Sequence, residues 1–162
     1  MRLPDGFVLR RAGVEDAQEI TRQRRAMFRD MRNAEASALD EMEARFLPWV
    51  TSKLAAGEYL GWFAVAADGA IAAGAGLWLM EWPPHMVGKA GRRGYLLNVY
   101  TDERFRRRGL AKALVEIAME WCRANGIDVM VLHASDVGRS IYEQLGFAAT
   151  NEMRMVVGRK TV

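Results

Sequence analysis

The sequence predicts an α/β protein with a mixed, mostly antiparallel central sheet of about seven strands flanked by helices. Three observations carry that expectation. Two apolar runs flank Asp68-Gly69, which is the pattern of a tight antiparallel hairpin. A strand-like run at 95–101 is followed by a strongly patterned helix and then a buried-type strand at 127–133, the signature of a parallel crossover. Helical periodicity recurs in other segments before and after this unit.

Phe7 to Arg11 reads as a short first strand. Glu15-Asp16 open a helix through about Arg32, acidic at its start, with Ile20, Arg24, Met27 and Met31 along one side. A second helical region runs from about Glu35 to Ala56 and stops at Gly57. Its Leu39, Met42, Phe46, Val50 and Leu54 recur at intervals of three and four, and Pro48 is placed to kink or divide it. Leu60 to Ala67 and Ala70 to Trp82 are the hairpin strands. The chain turns at Pro83-Pro84, and His85 to Gly94, with three glycines and little periodicity, reads as a mobile loop.

Tyr95 to Thr101 is the central strand. The helix from about Arg107 to Ala124 places Leu110, Leu114, Ile117, Ala118 and Trp121 on one face, and Asn125-Gly126 closes it. Ile127 to His133 is the next strand, and Val137 to Leu145 is a short helix stopped by Gly146. Phe147 to Ala149 and Met153 to Gly158 complete the sheet as two antiparallel partners.

A length of 162 residues fits one domain spanning 1–162 with a substantial core. Apolar residues are 51% and charged residues 27%, a balance that excludes a disordered chain. No apolar run is long enough to span a bilayer, the N-terminus lacks a secretory hydrophobic core, and the lone Cys122 has no internal disulfide partner. A cytoplasmic protein without a membrane partner is therefore expected.

The net charge of +3 is unevenly spread. Residues 1–90 carry 11 basic and 12 acidic side chains, whereas 91–162 carry 12 and 8. Arg104, Arg106, Arg107 and Arg108 concentrate the excess at one place, which fits a local phosphate site and not a wide nucleic-acid surface. That place is Arg106-Arg107-Arg108-Gly109-Leu110-Ala111, between the central strand and the long helix. Backbone N–H groups at a helix start can converge on one anion such as a diphosphate. The alternative reading is a basic helix start solvated by water.

Arg106-x-x-Gly109-x-Ala111 resembles one hallmark of the GNAT acyltransferase superfamily, a strand followed by Gln/Arg-x-x-Gly-x-Gly/Ala. Tyr142-Glu143-Gln144-Leu145-Gly146-Phe147 resembles a second, and the two are correctly separated. The resemblance is strong over about residues 94–149 and holds only in outline over 1–60. It implies a GNAT-like acyl-CoA N-acyltransferase fold and an N-acetyltransferase that moves acetyl from acetyl-CoA to a primary amine by direct transfer in a ternary complex. The acceptor would be a small-molecule amine or a protein amine, with no nucleic acid and no metal ion involved. Two other functions are left open, a non-catalytic acyl-CoA sensor and a nucleic-acid-binding module that uses Arg104 to Arg108.

By the same resemblance, the backbone of Arg107, Arg108, Gly109, Leu110 and Ala111 cradles the pyrophosphate, and Arg104 and Arg106 meet phosphate groups. Leu97 and Val99 offer backbone groups to the pantetheine arm, and a backbone N–H such as that of Val99 polarises the thioester carbonyl. Ser135 stands where the family often has asparagine, so it either bonds the cofactor or caps the short helix. Tyr142 is the expected general acid for the departing thiolate, against a core role for its ring. Glu81 and His133 are candidate bases, with His85 a third; Glu152 and Asp30 are candidates for recognising a cationic acceptor. Trp78, Met80 and Trp82 either line an acceptor cleft or pack on a helix, and Met27, Phe28 and Met31 either shape a pocket or fill the core. Cys122 reads as packing, not as a nucleophile. Exposed sheet edges are compatible with a homodimer.

Overall fold

Five strands line up in sequence order, as seen in a computed structural model that describes residues 2–32 and 34–157. They are β1 (Phe7–Arg11), β2 (Tyr59–Ala66), β3 (Ile71–Glu81), β4 (Arg92–Thr101) and β5 (Met130–Leu132). β1 to β4 pair antiparallel, while β5 runs parallel to β4 through the crossover expected from the sequence. The helices are α1 (Ala17–Arg32), α2 (Ala36–Ala55), α3 (Leu110–Ala124) and α4 (Arg139–Gln144).

The fold class matches the expectation, but the strand count does not. The runs expected as strands at 147–149 and 153–157 join no ladder, and Gly158 lies outside the described residues. β5 explains part of this, because it has three residues where 127–133 was expected and so offers a short edge for pairing. Phe147 turns its ring edge-on to Tyr142, centroids 5.9 Å apart, while Met153 and Met155 stand exposed. Other boundaries also moved, and β4 begins at Arg92, inside the run expected as a loop. α2 continues unbroken through Pro48, and α3 begins at Leu110 because Arg107 and Gly109 adopt left-handed φ values of 61° and 77°.

The sheet is covered on both faces, and strict alternation along β2 assigns its side chains. Leu60, Trp62 and Ala64 pack with Ala75, Leu77 and Leu96 against the α3 residues Leu110, Leu114, Ile117 and Ala118. Tyr59 and Phe63 point the other way, onto Ala17 and Ile20 of α1 and Phe46 and Val50 of α2. This explains why β2 reads as a continuous apolar run and not as an alternating one.

On the α1 and α2 face, β3 presents glycine at a decisive place. A Cβ on Gly76 would sit 1.9 Å from the Tyr59 hydroxyl oxygen, so the bare backbone there is what lets Tyr59 lie flat on the sheet. Gly76→Ala is therefore expected to displace a fully buried tyrosine and lower stability by about 1–3 kcal/mol in urea unfolding. A midpoint equal to that of the parent would show that the Tyr59 ring does not need this space.

Candidate active site

The site begins with a bulge in β4. Gly74 of β3 faces Tyr100, whereas Gly76 faces Leu97, so β4 carries one more residue than its partner over this stretch. Asn98 absorbs the excess with a φ of 53°, a region that asparagine tolerates better than most residues. Leu97 packs into the α1 and α2 core, and Asn98 also points to that side, where its Nδ2 donates to the Tyr59 hydroxyl at 3.0 Å. Val99 is thereby turned to the α3 side.

Pairing between β4 and β5 ends at Leu96 and Leu132. Beyond it lies a cleft of about 600 Å³ between residues 95–99 of β4 and residues 132–136 after β5, roofed by Met27, Phe28 and Met31 of α1. Met27, Phe28 and Met31 thus shape this cleft. Backbone groups of Leu97 and Val99 lie along the unpaired stretch of β4, as a strand-like guest would require.

The basic turn lies downstream of β4. After a 3-10 turn at Glu103–Phe105, Arg107 and Gly109 take left-handed conformations on either side of Arg108, and α3 begins at Leu110. The first intrahelical bond is Ala113 N–H to Gly109 C=O at 3.0 Å. The N–H groups of residues 107 to 112 therefore have no acceptor among the described residues. Such a run, at the positive end of a helix and bent by alternating backbone conformations, has the form that suits an anion. No side chain crowds it: the nearest atom to a Cβ on Gly109 would be the Pro4 Cγ, 3.9 Å away.

The arginines of this turn divide differently. Arg106 donates to Asp30 of α1 at 2.5 Å and to the Thr101 carbonyl at 3.1 Å, so its guanidinium ties the turn to α1. Asp30 is held below the usual carboxylate range by Arg106 and Arg29 against the opposing effect of burial, and it is already paired with cations. Arg104 is paired with Asp102 at 3.0 Å. Arg107 makes no ion pair among the described residues, and Arg108 stacks over Phe105.

Tyr142 of α4 lines the β4/β5 cleft, and its hydroxyl makes no hydrogen bond among the described residues. Burial raises its pKa, so the phenol keeps its proton at neutral pH. His133 reaches the same cleft, its Nδ1 bonded to the Tyr95 hydroxyl and its Nε2 3.7 Å from the Glu152 carboxylate. Ser135 also lines it, with Oγ accepting from Gly138 N–H at 3.1 Å in the turn before α4, which is the capping geometry.

Glu81 is not brought here. At the end of β3 it lines a separate depression with Trp82 and residues 90–92, apart from Tyr142 and His133. His85 is in the exposed loop, accepting from Val87 N–H at 3.0 Å. Cys122 is buried in the core of α3, where burial pushes its thiol up to about 11. No group of three or more histidine, cysteine, aspartate or glutamate residues is placed to hold a metal ion among the described residues.

The model of the Acetyltransferase (GNAT) family matches residues 20–147. The chain belongs to the GNAT acetyltransferase family. Membership makes it an acetyl-CoA-dependent acetyltransferase acting on an amine. Among solved structures, a GCN5-related N-acetyltransferase from Ralstonia eutropha is 36% identical with a TM-score of 0.89, over 95% of this chain and 100% of that one. A predicted acetyltransferase from Clostridium acetobutylicum, solved with acetyl-CoA, is 25% identical with a TM-score of 0.84 over 93% and 95%. Glucosamine-6-phosphate N-acetyltransferase from Arabidopsis thaliana shares the fold at 20% identity and a TM-score of 0.67, over 94% and 99%. A search of curated proteins gave no match.

Two features of this acetyltransferase were missed in the sequence. One is Asn98, which no side-chain pattern within β4 distinguishes from a ladder residue. The other is Arg24 of α1, whose Nη1 donates to Asn98 Oδ1 at 2.7 Å. Its signal was visible, because Arg24 is the charged member of an otherwise apolar stripe with Ile20, Met27 and Met31. Arg24 also borders a second recess of about 600 Å³ on the α2 side, where Trp78 and Met80 lie. Trp78 both lines that recess and packs edge-on against Trp49 at 5.3 Å. No helix among the described residues is long and apolar enough to cross a membrane.

Asn98 is 4% exposed, so its amide depends on internal acceptors. Tyr59→Phe removes one and should cost about 1–3 kcal/mol of unfolding free energy. Unchanged stability with an unshifted Asn98 amide resonance would show that the Tyr59 bond does not hold the bulge.

Proposed function

We propose that the chain is one acetyltransferase domain, spanning 1–162, that transfers acetyl from acetyl-CoA to a primary amine by direct attack within a ternary complex. The observation that carries this reading is the run of unpaired N–H groups from Arg107 to Lys112 beside a cleft that leaves part of β4 unpaired. A diphosphate fits the first and an extended amide-bearing arm fits the second. When bound, acetyl-CoA supplies an activated acyl group as its thioester.

The chain's own residues then have distinct tasks. The N–H groups of Arg107, Arg108, Gly109, Leu110 and Ala111 hold the pyrophosphate, and Arg107 and Arg108 add positive charge beside it. Arg106 and Arg104 act mainly by bracing the turn, through Asp30 and Asp102. Leu97 and Val99 present backbone groups to the pantetheine arm, and the Val99 N–H polarises the thioester carbonyl. Ser135 caps the turn before α4 and keeps its hydroxyl proton for the donor. His133, linked to Tyr95 and Glu152, accepts the proton lost by the amine, directly or through water. Tyr142, kept protonated by its surroundings, gives its proton to the departing thiolate.

Calorimetric titration with acetyl-CoA, free CoA and a longer acyl-CoA tests the reading. Saturable binding with acetyl preferred is the expected result, and folded protein that binds none of the three would remove it. Gly109→Ala should weaken acetyl-CoA binding about tenfold or more, comparable to the loss of a hydrogen bond to a charged group. Tyr142→Phe should lower turnover by about 10²-fold or more while leaving acetyl-CoA affinity close to that of the parent. Full turnover in that variant would take the proton-donor role from Tyr142.

A further inference from the structure

Three arginines around Arg24 on α1 each have a carboxylate partner: Arg22 with Glu19, Arg25 with Asp40 and Glu43, and Arg29 with Asp30. Arg24 has none among the described residues. Its guanidinium is nonetheless well fixed. Nη1 is bonded to Asn98, and the group lies 4.8 Å from the Phe28 ring centroid and 4.5 Å from that of Phe46. Its Nε is shielded from solvent and has no hydrogen-bond partner among the described residues. A half-buried cation with a shielded, unused donor is costly unless something pairs with it.

The surroundings of Arg24 say what that partner would be. Arg24 borders both the cleft containing Tyr142 and the recess on the α2 side, which also share Tyr95 and Leu97. The recess is walled by Phe46, Trp49, Trp78 and Met80, and among the described residues its only other charged lining residue is Arg45, which pairs with Glu41 outside the lining. It therefore offers apolar and aromatic contact and positive charge, with no carboxylate to receive a second cation. A basic polyamine or a lysine side chain finds no counter-ion in it.

We infer that the acceptor is an amphoteric amine, a large apolar or aromatic α-amino acid, whose carboxylate pairs with Arg24 and whose side chain fills the Trp49/Trp78 recess. This deepens the acetyltransferase reading and rests on it. The geometry of an α-amino acid suits the place, because the amine is one carbon away from the carboxylate. Arg24 is held by Asn98, the residue between Leu97 and Val99 on the unpaired stretch of β4. A carboxylate on Arg24 thus sets its neighbouring amine beside the strand segment assigned to the thioester, with Tyr142 and His133 across the same cleft. Side-chain size would be selected by the recess and the acidic group by Arg24.

The test compares L-phenylalanine with L-phenylalaninamide, phenethylamine and L-lysine as acceptors at saturating acetyl-CoA. L-phenylalanine should exceed the amide and phenethylamine in kcat/KM by about 10- to 100-fold, the worth of a charge-assisted hydrogen bond. In Arg24→Met that ratio should collapse towards one, and Arg24→Lys should restore part of it. Equal use of the amide or of phenethylamine by the parent protein, or a preference for L-lysine, would overturn the inference while leaving the transferase reading intact. Calorimetry with N-acetyl-L-phenylalanine and its amide gives an answer that needs no turnover. Binding of the acid alone, lost in Arg24→Met, supports the carboxylate site even if acetyl-CoA fails to bind. Equal binding of acid and amide, or binding of neither, removes it.

Discussion

The arrangement of this site depends on one backbone irregularity, the bulge at Asn98. A non-glycine residue at a φ of 53° in a central strand is a local conflict that must be offset by surrounding contacts. Here the side chain supplies them, with Nδ2 on Tyr59 and Oδ1 receiving Arg24. Three features of the site meet at that single residue. Side-chain direction reverses after it, so Val99 faces the α3 side. β4 stops pairing with β5 just before it, which opens the cleft. Arg24 is held by it at the border of two cavities. Tyr59 in turn reaches Asn98 only because Gly76 leaves room beneath its hydroxyl. A glycine on β3, a tyrosine on β2 and an arginine on α1 are thus parts of one device.

The proposed anion site would work by a different principle. Four arginines in five positions look like the phosphate ligands, yet two of them are already occupied by aspartates. What the turn offers is mostly backbone: six consecutive N–H groups without acceptors, aimed by left-handed residues at positions 107 and 109. Fixed amides lose little entropy on binding, whereas a long side chain must be ordered first. The arginines contribute field and stiffness. Arg106 is the clearest case, because its bond to Asp30 couples the turn to α1, the helix that carries Arg24.

Much of this was legible in the sequence for reasons that can be stated. Hydrophobic periodicity is imposed by the sheet faces, so β1 to β3 and the four helices could be read close to their observed positions. The Asp68-Gly69 hairpin and the Arg106-x-x-Gly109-x-Ala111 turn were legible because glycine is demanded where φ is positive. The bulge was not legible, since one asparagine between Leu97 and Val99 does not by itself mark a bulge and its conformation is set by partners on two distant elements. The final strands were overcalled because a run such as Met153 to Val157 satisfies the composition of a strand while nothing local supplies an edge for it. Glu81 was a reasonable base by chain position alone, but the end of β3 leads away from the cleft. Arg24 was visible in the apolar stripe of α1, and the meaning of a charge there emerged only once its lack of a carboxylate could be seen.

The proposed direct transfer agrees with where the nucleophiles of the chain lie. A covalent acyl-enzyme would need a thiolate or an activated hydroxyl beside the thioester. Cys122 is sealed in the core of α3, with burial raising its thiol to about 11, and it borders neither the β4/β5 cleft nor the aromatic recess. Ser135 borders the cleft, but its oxygen already accepts the Gly138 N–H, and His133 is engaged by Tyr95 and Glu152. The groups left facing the cleft are better suited to moving protons than to forming bonds with carbon. An amine held by Arg24 would then be the nucleophile itself, with the two cavities meeting at Tyr95 and Leu97 so that donor and acceptor share one wall.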